Sequence, residues 1–246
     1  MQLEEWLMNA WPAMHTIVRQ GWVLRFADGY TKRSNSVYPL YAGEKNLHAA
    51  IERCEREYER VHLAPTFKMT PFAPPELDRL LASKGYAVLE PSSVRVLNRL
   101  DAVREPVLTE MEIEERLGGK WLDLTASFKG MTGHDKAILR TLLENSLIRK
   151  GYFILHDRSV PVACGLAALD QDAAGLFEIV TAEAYRNRGY GEQLILHMLG
   201  WARANGAAVS YLQVVQSNAP ACRLYDKLNF QEAYPYWYRQ KRREEI

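Results

Sequence analysis

Apolar residues recur every three or four positions over Glu192–Asn205, where Leu194, Ile195, Met198, Leu199 and Ala202 share one face; this period predicts an amphipathic helix. Glu192 suits its positive end and Arg203 its negative end, and Gly206 follows as a left-handed stop. Trp121–Phe128 and Lys136–Arg149 also read as helices, the second through Ile138, Leu139, Leu142, Leu143 and Leu147. Tyr152–His156, Val160–Leu169 and Gly175–Val180 are short strand-like runs, with Asp157-Arg158-Ser159 a turn between the first two. Ala208–Val215 carries apolar residues on both faces, as a strand inside a covered parallel sheet does. Asn218 can cap a helix that holds Pro220 in its first turn and ends near Leu228, with Asn229 in the left-handed position. Phe230–Arg239 then supplies two closing strands. The order α-α-β-β-β-α-β-α-β-β predicts an α/β fold with a mixed sheet flanked by helices.

The first half repeats the ending of the second. Asn46–Arg60 is helical and Leu63–Met69 strand-like; Pro74-Pro75-Glu76 opens a helix that runs to Ser83. Val88-Leu89 and Val94–Leu97 read as strands around a Pro91-Ser92-Ser93 turn. In Lys84-Gly85-Tyr86 and Leu228-Asn229-Phe230 alike, a proline-opened helix meets a left-handed stop, an aromatic residue and a hairpin. These parallels predict a diverged internal repeat, with Asp101–Leu108 as linker and two domains, residues 1–104 and 105–246.

Charge narrows the function little. The formal net charge of +1 gives no global field toward nucleic acid or an anionic membrane, and runs such as Glu52-Arg53-Cys54-Glu55-Arg56-Glu57 read as solvated helix faces. The basic run Arg239–Arg243 is diluted by Glu244 and Glu245. Cys54, Cys164 and Cys222 form no C-x-x-C pair, and the six histidines are isolated, so neither a disulfide framework nor a metal site is expected. The acidic start Met1-Gln2-Leu3-Glu4-Glu5 lacks the features of a signal peptide, and no apolar run has membrane-spanning length. The expectation is a cytoplasmic protein, monomer or homodimer, with no nucleic-acid or membrane partner.

The chemistry concentrates in Arg186-Asn187-Arg188-Gly189-Tyr190-Gly191, between a predicted strand and a predicted helix. Two glycines one residue apart let a ligand approach the backbone. The amides of the helix's first turn then point at one spot where the dipole favours an anion, and Arg186 and Arg188 add phosphate-binding donors. A plain glycine turn would look the same in isolation. There is no Gly-Lys-Ser/Thr phosphate loop and no dinucleotide fingerprint. The wider pattern resembles the GNAT superfamily of N-acetyltransferases over roughly Val107–Gln240. Arg186, Gly189 and Gly191 match Q/R-x-x-G-x-G/A, and Asn218, Ala221, Tyr225, Lys227 and Phe230 match N-x-x-A-x-x-x-Y-x-K-x-x-F. Asn229 stands where glycine is usual, a geometry asparagine tolerates.

That resemblance implies the GNAT fold, in tandem with a degenerate N-terminal half, and acetyl-CoA as cosubstrate without a metal. It implies a sheet split between Gly175–Val180 and Ala208–Val215, with pantetheine on the backbone near Ile179, Val180 and Thr181. The Val180 amide would polarise the thioester carbonyl, and the amides of Arg188, Gly189, Tyr190, Gly191 and Glu192 would hold the diphosphate. An amine would attack the acetyl carbon directly. Tyr225 is the candidate general acid; taken alone it also fits a packing aromatic. Glu178, an acidic residue in an apolar strand, is the candidate base and equally a buried carboxylate or an anchor for the substrate ammonium. Asp170 and Asp172 read as loop residues and Cys222 as a structural cysteine.

The first half has no glycine-rich anion turn before Asn46, so its cofactor site would be lost. Its segment Gly21–Ser36 is rich in aromatic, basic and amide groups and resembles one in bacterial two-domain GNAT proteins; it reads either as part of an acceptor pocket, with Arg33 and Asn35 in it, or as an ordinary hairpin. Three functions compete. An N-acetyltransferase, acting on a small-molecule or protein amine, accounts for the turn and for Tyr225. A catalytically silent acyl-CoA sensor would not need Tyr225, and an aromatic interaction surface would leave the turn unexplained.

Overall fold

Two runs of similar element order follow one another along the chain; the computed structural model describes residues 1–41 and 46–241. The first run is α1 (Gln2–Ala10), β1 (His15–Arg19), β2 (Trp22–Phe26), β3 (Val37–Pro39), α2 (Leu47–Glu59), β4 (Thr66–Met69), α3 (Leu77–Ser83) and β5 (Tyr86–Leu97). The second is β6 (Met111–Glu114), α4 (Gly119–Lys129), α5 (Gly133–Glu144), β7 (Arg149–Asp157), β8 (Val160–Asp170), β9 (Ala173–Thr181), α6 (Tyr190–Ala204), β10 (Val209–Val215), α7 (Ala219–Lys227) and β11 (Gln231–Lys241). Both contain β-β-β-α-β-α-β. Arg242 and Arg243, the end of the basic run, lie outside the described residues.

Local chemistry explains most boundaries. Gln20 and Gly21 both take the left-handed conformation that a tight β1–β2 hairpin requires, and a Cβ on Gly21 would strike the Tyr41 carbonyl. Helix α6 buries Leu194, Ile195, Met198, Leu199 and Ala202, each worth about 1.5–3 kcal/mol for the larger side chains, and Gly206 ends it at φ 94°. Arg158 and Ser159, both left-handed, turn β7 into β8.

Three expectations change. Helix α5 stops at Glu144, with Asn145 as its C-cap; Leu147 lies beyond it fully exposed, and Arg149 already begins β7. Pro91-Ser92-Ser93 does not reverse the chain: β5 is one strand, and its register against β11 passes from Ser92↔Tyr236 to Leu89↔Tyr238. Glu90, at φ 48°, and Pro91 thus form a bulge, which accommodates a missing N–H as a turn would. The end of the chain is likewise a single strand, β11, bulged between Glu232 and Tyr234. Helix α1 and strands β1, β3 and β6 are further elements the patterning did not delimit.

The strands form one sheet in the order β1-β2-β3-β4-β11-β5-β10-β9-β8-β7-β6. Among the described residues only β3·β4 and β9·β10 run parallel. Strand β5 of the first run sits between β10 and β11 of the second, and β11 sits between β4 and β5, so the two runs are interleaved. Helix α6 packs with Leu176, Val214 and Tyr225 on one face; α1, α4 and α5 pack with Phe177, Tyr211, Tyr236 and Tyr238 on the other. Among the described residues no helix is long and apolar enough to cross a membrane.

Helix α1 is fastened by a buried ion pair. Lys68 Nζ donates to both Glu4 oxygens at 2.9 and 2.7 Å, Tyr234 donates to Glu4 Oε1 at 2.7 Å, and the two charged side chains are 0% exposed. The ammonium also sits 4.8 and 4.6 Å from the Tyr38 and Tyr236 ring centres. Burial acts most strongly and lowers the lysine's pKa, but Glu4 together with Tyr38 and Tyr236 outweighs it, and the pKa is raised. Lys68→Met should cost about 3–5 kcal/mol by stranding the Glu4 carboxylate, and the double variant Glu4→Gln/Lys68→Met should cost less than Lys68→Met alone; urea unfolding at neutral pH measures both.

Candidate functional site

Strands β9 and β10 pair only through Val209↔Ala173, Ser210↔Ala174 and Tyr211↔Gly175. Beyond that point they part, and a cavity of about 520 Å³ lies between them, lined by Leu176–Ile179, Gln213–Val215 and, from α7, Asn218, Ala221 and Tyr225. Its walls come from both faces of the sheet: Leu176, Val214 and Tyr225 belong to the α6 side, Phe177, Tyr236 and Tyr238 to the α1 side. The cavity therefore runs through the sheet. The sheet split expected between these two strands is present.

A bulge shapes its rim. The β8–β9 register passes from Leu166↔Phe177 to Cys164↔Val180, so β9 carries one extra residue there, and Glu178 takes φ 51°. A left-handed non-glycine residue costs on the order of 1–3 kcal/mol and marks a place that its surroundings over-determine. The direction of the backbone follows from the next bond. Ala182 N donates to Val162 O at 2.9 Å, so Ala182 faces β8; by the alternation of a strand Val180, paired with Cys164, faces β8 too. Ile179 and Thr181 then turn their N–H and C=O groups toward the open edge. This corrects the expected donor: the amide available at the split is that of Ile179, and Ile179 but not Val180 lines the cavity.

Downstream of that edge a short 3-10 turn, Glu183–Tyr185, leads to the glycine turn. Asn187 (φ 60°) and Gly189 (φ 84°) are left-handed, and Gly189 is the N-cap of α6. Gln193 N donates to Gly189 O, so the amides of Tyr190, Gly191 and Glu192 lie in the first turn, where the helix supplies no acceptor. A Cβ on Gly189 would meet nothing within 4 Å; its glycine serves the backbone angle. Arg186 Nε donates to Thr181 O at 3.4 Å and Arg188 lies 5.7 Å from the Tyr185 ring. The Glu192 carboxylate is engaged by Arg104 and, at 2.6 Å, by Lys227, leaving its amide as the group for a ligand.

Opposite stands α7. Asn218 caps it, accepting from Ala221 N at 3.3 Å, and Asn229 closes it at φ 62° with Phe230 N donating to Tyr225 O at 2.9 Å. These bonds fix Tyr225, whose buried ring packs edge-on to Phe230 at 6.0 Å. Burial pushes its phenol up to about 12, so it is fully protonated at neutral pH. Cys222, one turn before, packs on the core, and its thiol points at the backbone carbonyls of Val215 and Gln216.

The α1-side wall contains residues that the motifs do not mark. Glu178 is 1% exposed and bonds Arg33 Nη2 at 3.2 Å and Lys129. Burial acts to raise its pKa, yet the two cations outweigh burial and hold the carboxyl below its ordinary range. Lys129, Gln213, Tyr236 and Tyr238 carried no sequence signal, because each is brought to the wall by sheet register or helix packing. The segment Gly21–Ser36 joins a hairpin to the cavity wall. It contains the β1–β2 hairpin, and its loop lines the cavity with Gly29–Arg33 and Asn35. Asn35 accepts from the Ala27 and Gly29 amides at 2.7 and 3.0 Å and donates to Ala27 O and Thr31 O, so it holds the loop's shape.

Residues 1–239 match the family described as "Probable histone acetyltransferase Rv0428c C-terminal". The chain belongs to this family, within the GNAT superfamily. It is an acyltransferase fold of the N-acetyltransferase kind, and relatives agree. The Bacillus subtilis (strain 168) protein YobR, an uncharacterized N-acetyltransferase, is 28% identical over 247 residues, 98% of each chain. The ribosomal protein bS18-alanine N-acetyltransferase of Escherichia coli (strain K12) is 32% identical over 94 residues, 38% of this chain and 64% of that one. In fold, a GCN5-related N-acetyltransferase from Kribbella flavida superposes with TM-score 0.74 at 13% identity, over 100% of this chain and 96% of that one. A tandem GNAT protein from the clavulanic acid biosynthesis pathway gives 0.66 at 12%, over 100% and 89%.

The Glu178 cluster makes stability pH-dependent. A folded-state pKa below the ordinary 4.5 contributes stability that is complete above that value and lost as pH falls through the lowered one. The margin of wild type over Glu178→Gln in urea unfolding should be full at pH 7 and shrink below about pH 4.

Proposed function

We propose that this GNAT family member transfers the acetyl group of acetyl-CoA to a primary amine by direct attack, with the cofactor on the α6–α7 side of the sheet and the amine entering from the α1 side. The observation that carries this is the open edge of β9 leading into the left-handed Gly189 turn, with Tyr225 facing the same cavity. The residues fit acetyl-CoA. An extended amide chain can pair with Ile179 and Thr181, and a diphosphate can rest on the amides of Arg188 to Glu192 at the positive end of α6. Gly191 keeps that approach free of a side chain. Asn218 and Ala221 border the same path from α7.

Acetyl-CoA supplies the activated acyl group; the chain's own residues position it and manage charge. The Ile179 amide polarises the thioester carbonyl. Tyr225 keeps its proton and offers it as a hydrogen bond to sulfur as charge develops there. Glu178 serves neither as the base nor as an ammonium anchor, since both of its oxygens are engaged by cations and its basicity is lowered; the amine's proton leaves through water. In this reading residues 1–104 form a diverged half without a cofactor site and residues 105–246 hold the cofactor-binding and acid groups, in a protein of the cytoplasm.

Free-thiol release from acetyl-CoA across a panel of amines tests the proposal; CoA binding without turnover on any amine would establish the sensor reading instead. Tyr225→Phe should lower kcat by about 10²–10⁴-fold with the acetyl-CoA KM nearly unchanged. Gly189→Glu should abolish CoA binding, measured by calorimetry, with the circular dichroism spectrum intact, since it adds an anion where one must bind.

A further inference from the structure

The α1-side arm of the cavity has a charge pattern that bears on the acceptor. Its lining contains three cations, Lys32, Arg33 and Lys129, against two carboxylates, Glu90 and Glu178. Both carboxylates are already committed, Glu90 to Lys32 at 2.6 Å and Glu178 to the other two. The exposed charge is also one-sided: Glu178 is 1% exposed, whereas Arg33 and Lys129 keep 24% and 35%. An acceptor with additional positive charges finds no open anion here.

Arg33 is aimed rather than loose. Its guanidinium lies 4.3 Å from the Trp11 ring centre and 5.8 Å from that of Phe177, and one nitrogen is fixed on Glu178. Its Nη1 and Nε bond nothing among the described residues, which leaves part of the planar donor fork open. Two buried polar atoms in the wall are also without a hydrogen-bond partner among the described residues: Gln213 Nε2, a donor, and the hydroxyl of Tyr238, a residue 2% exposed. Unpaired buried groups of this kind are unfavourable, and a bound ligand that pairs with them relieves that.

Resting on the transferase reading above, we infer that the acceptor is a small primary amine that also carries a carboxylate, received by Arg33 with Gln213 and Tyr238. Arginine's fork suits a carboxylate, and the surplus cation disfavours the ammonium form of the amine beside it, which favours the neutral nucleophile.

The experiment is calorimetric titration of the CoA-saturated protein with glycine, γ-aminobutyrate, leucine and phenylalanine, each against its carboxamide. At least one acid should bind tenfold or more tightly than its amide, and Arg33→Gln should erase that ratio while leaving CoA affinity intact. Amides that bind as well as the acids, or no binding by any acid, would overturn the inference; if Arg33→Gln does not fold, the wild-type ratios decide alone. Thiol release run on the same pairs separates the two proposals. A carboxylate preference in binding without turnover defeats the transferase reading only, and turnover with no such preference defeats only this one.

Discussion

Strand β10 stays in the sheet because of its neighbour on the far side. Against β9 it keeps three residue pairs, but against β5 it keeps six, from Ser210↔Leu97 to Val215↔Ser92. A strand held along one edge can stay in the sheet while the N–H and C=O groups of its other edge face the gap, and that freedom is what opens the cavity through the sheet. The strand that does the holding belongs to the first run of elements. The first half is thus structural support for a cavity whose glycine turn and tyrosine belong to the second.

The same dependence recurs at side-chain level. Glu178 sits at a left-handed bulge in β9, and its two cations come from elsewhere: Lys129 from the end of α4, Arg33 from the loop before β3, 145 residues away in the chain. The strain of the bulge and the burial of the carboxylate both favour escape, and the two ion pairs oppose it. Arg33 in turn rests on Trp11, which follows helix α1, itself fastened through Glu4 and Lys68. One line of contacts therefore connects the N-terminal helix to the bend that orients the Ile179 amide.

What the residues disclosed in advance was local. Left-handed stops at Gly206 and Asn229, the cap at Asn218, the proline beside it and the glycine turn each act within a few residues, so their signals are contiguous. The split was anticipated through resemblance, although which β9 amide faces it needed the β8–β9 register. Where prediction failed, the residues were compatible with two outcomes. Pro91-Ser92-Ser93 satisfies a turn and a bulge equally, and the choice was made by β11, a strand 140 positions later. Leu147 continued a helical period that the Asn145 cap had already ended. The α1-side wall was the least legible part, because Lys129, Gln213 and Tyr238 meet only once three distant elements are assembled.

The interleaving also sets an order of events during synthesis. Strands β4 and β5 emerge early, joined by α3, yet in the finished sheet they are not neighbours: β11 lies between them. Until β11 has left the ribosome, that slot offers two unpaired strand edges, and β5 has no β10 to hold. The first half can collapse around Phe67, Leu77, Leu81 and Tyr86, but its sheet can close only after translation of the second half. Pairings so distant along the chain make for slow folding and a long-exposed edge, a vulnerability in the nascent polypeptide that the mature protein no longer shows.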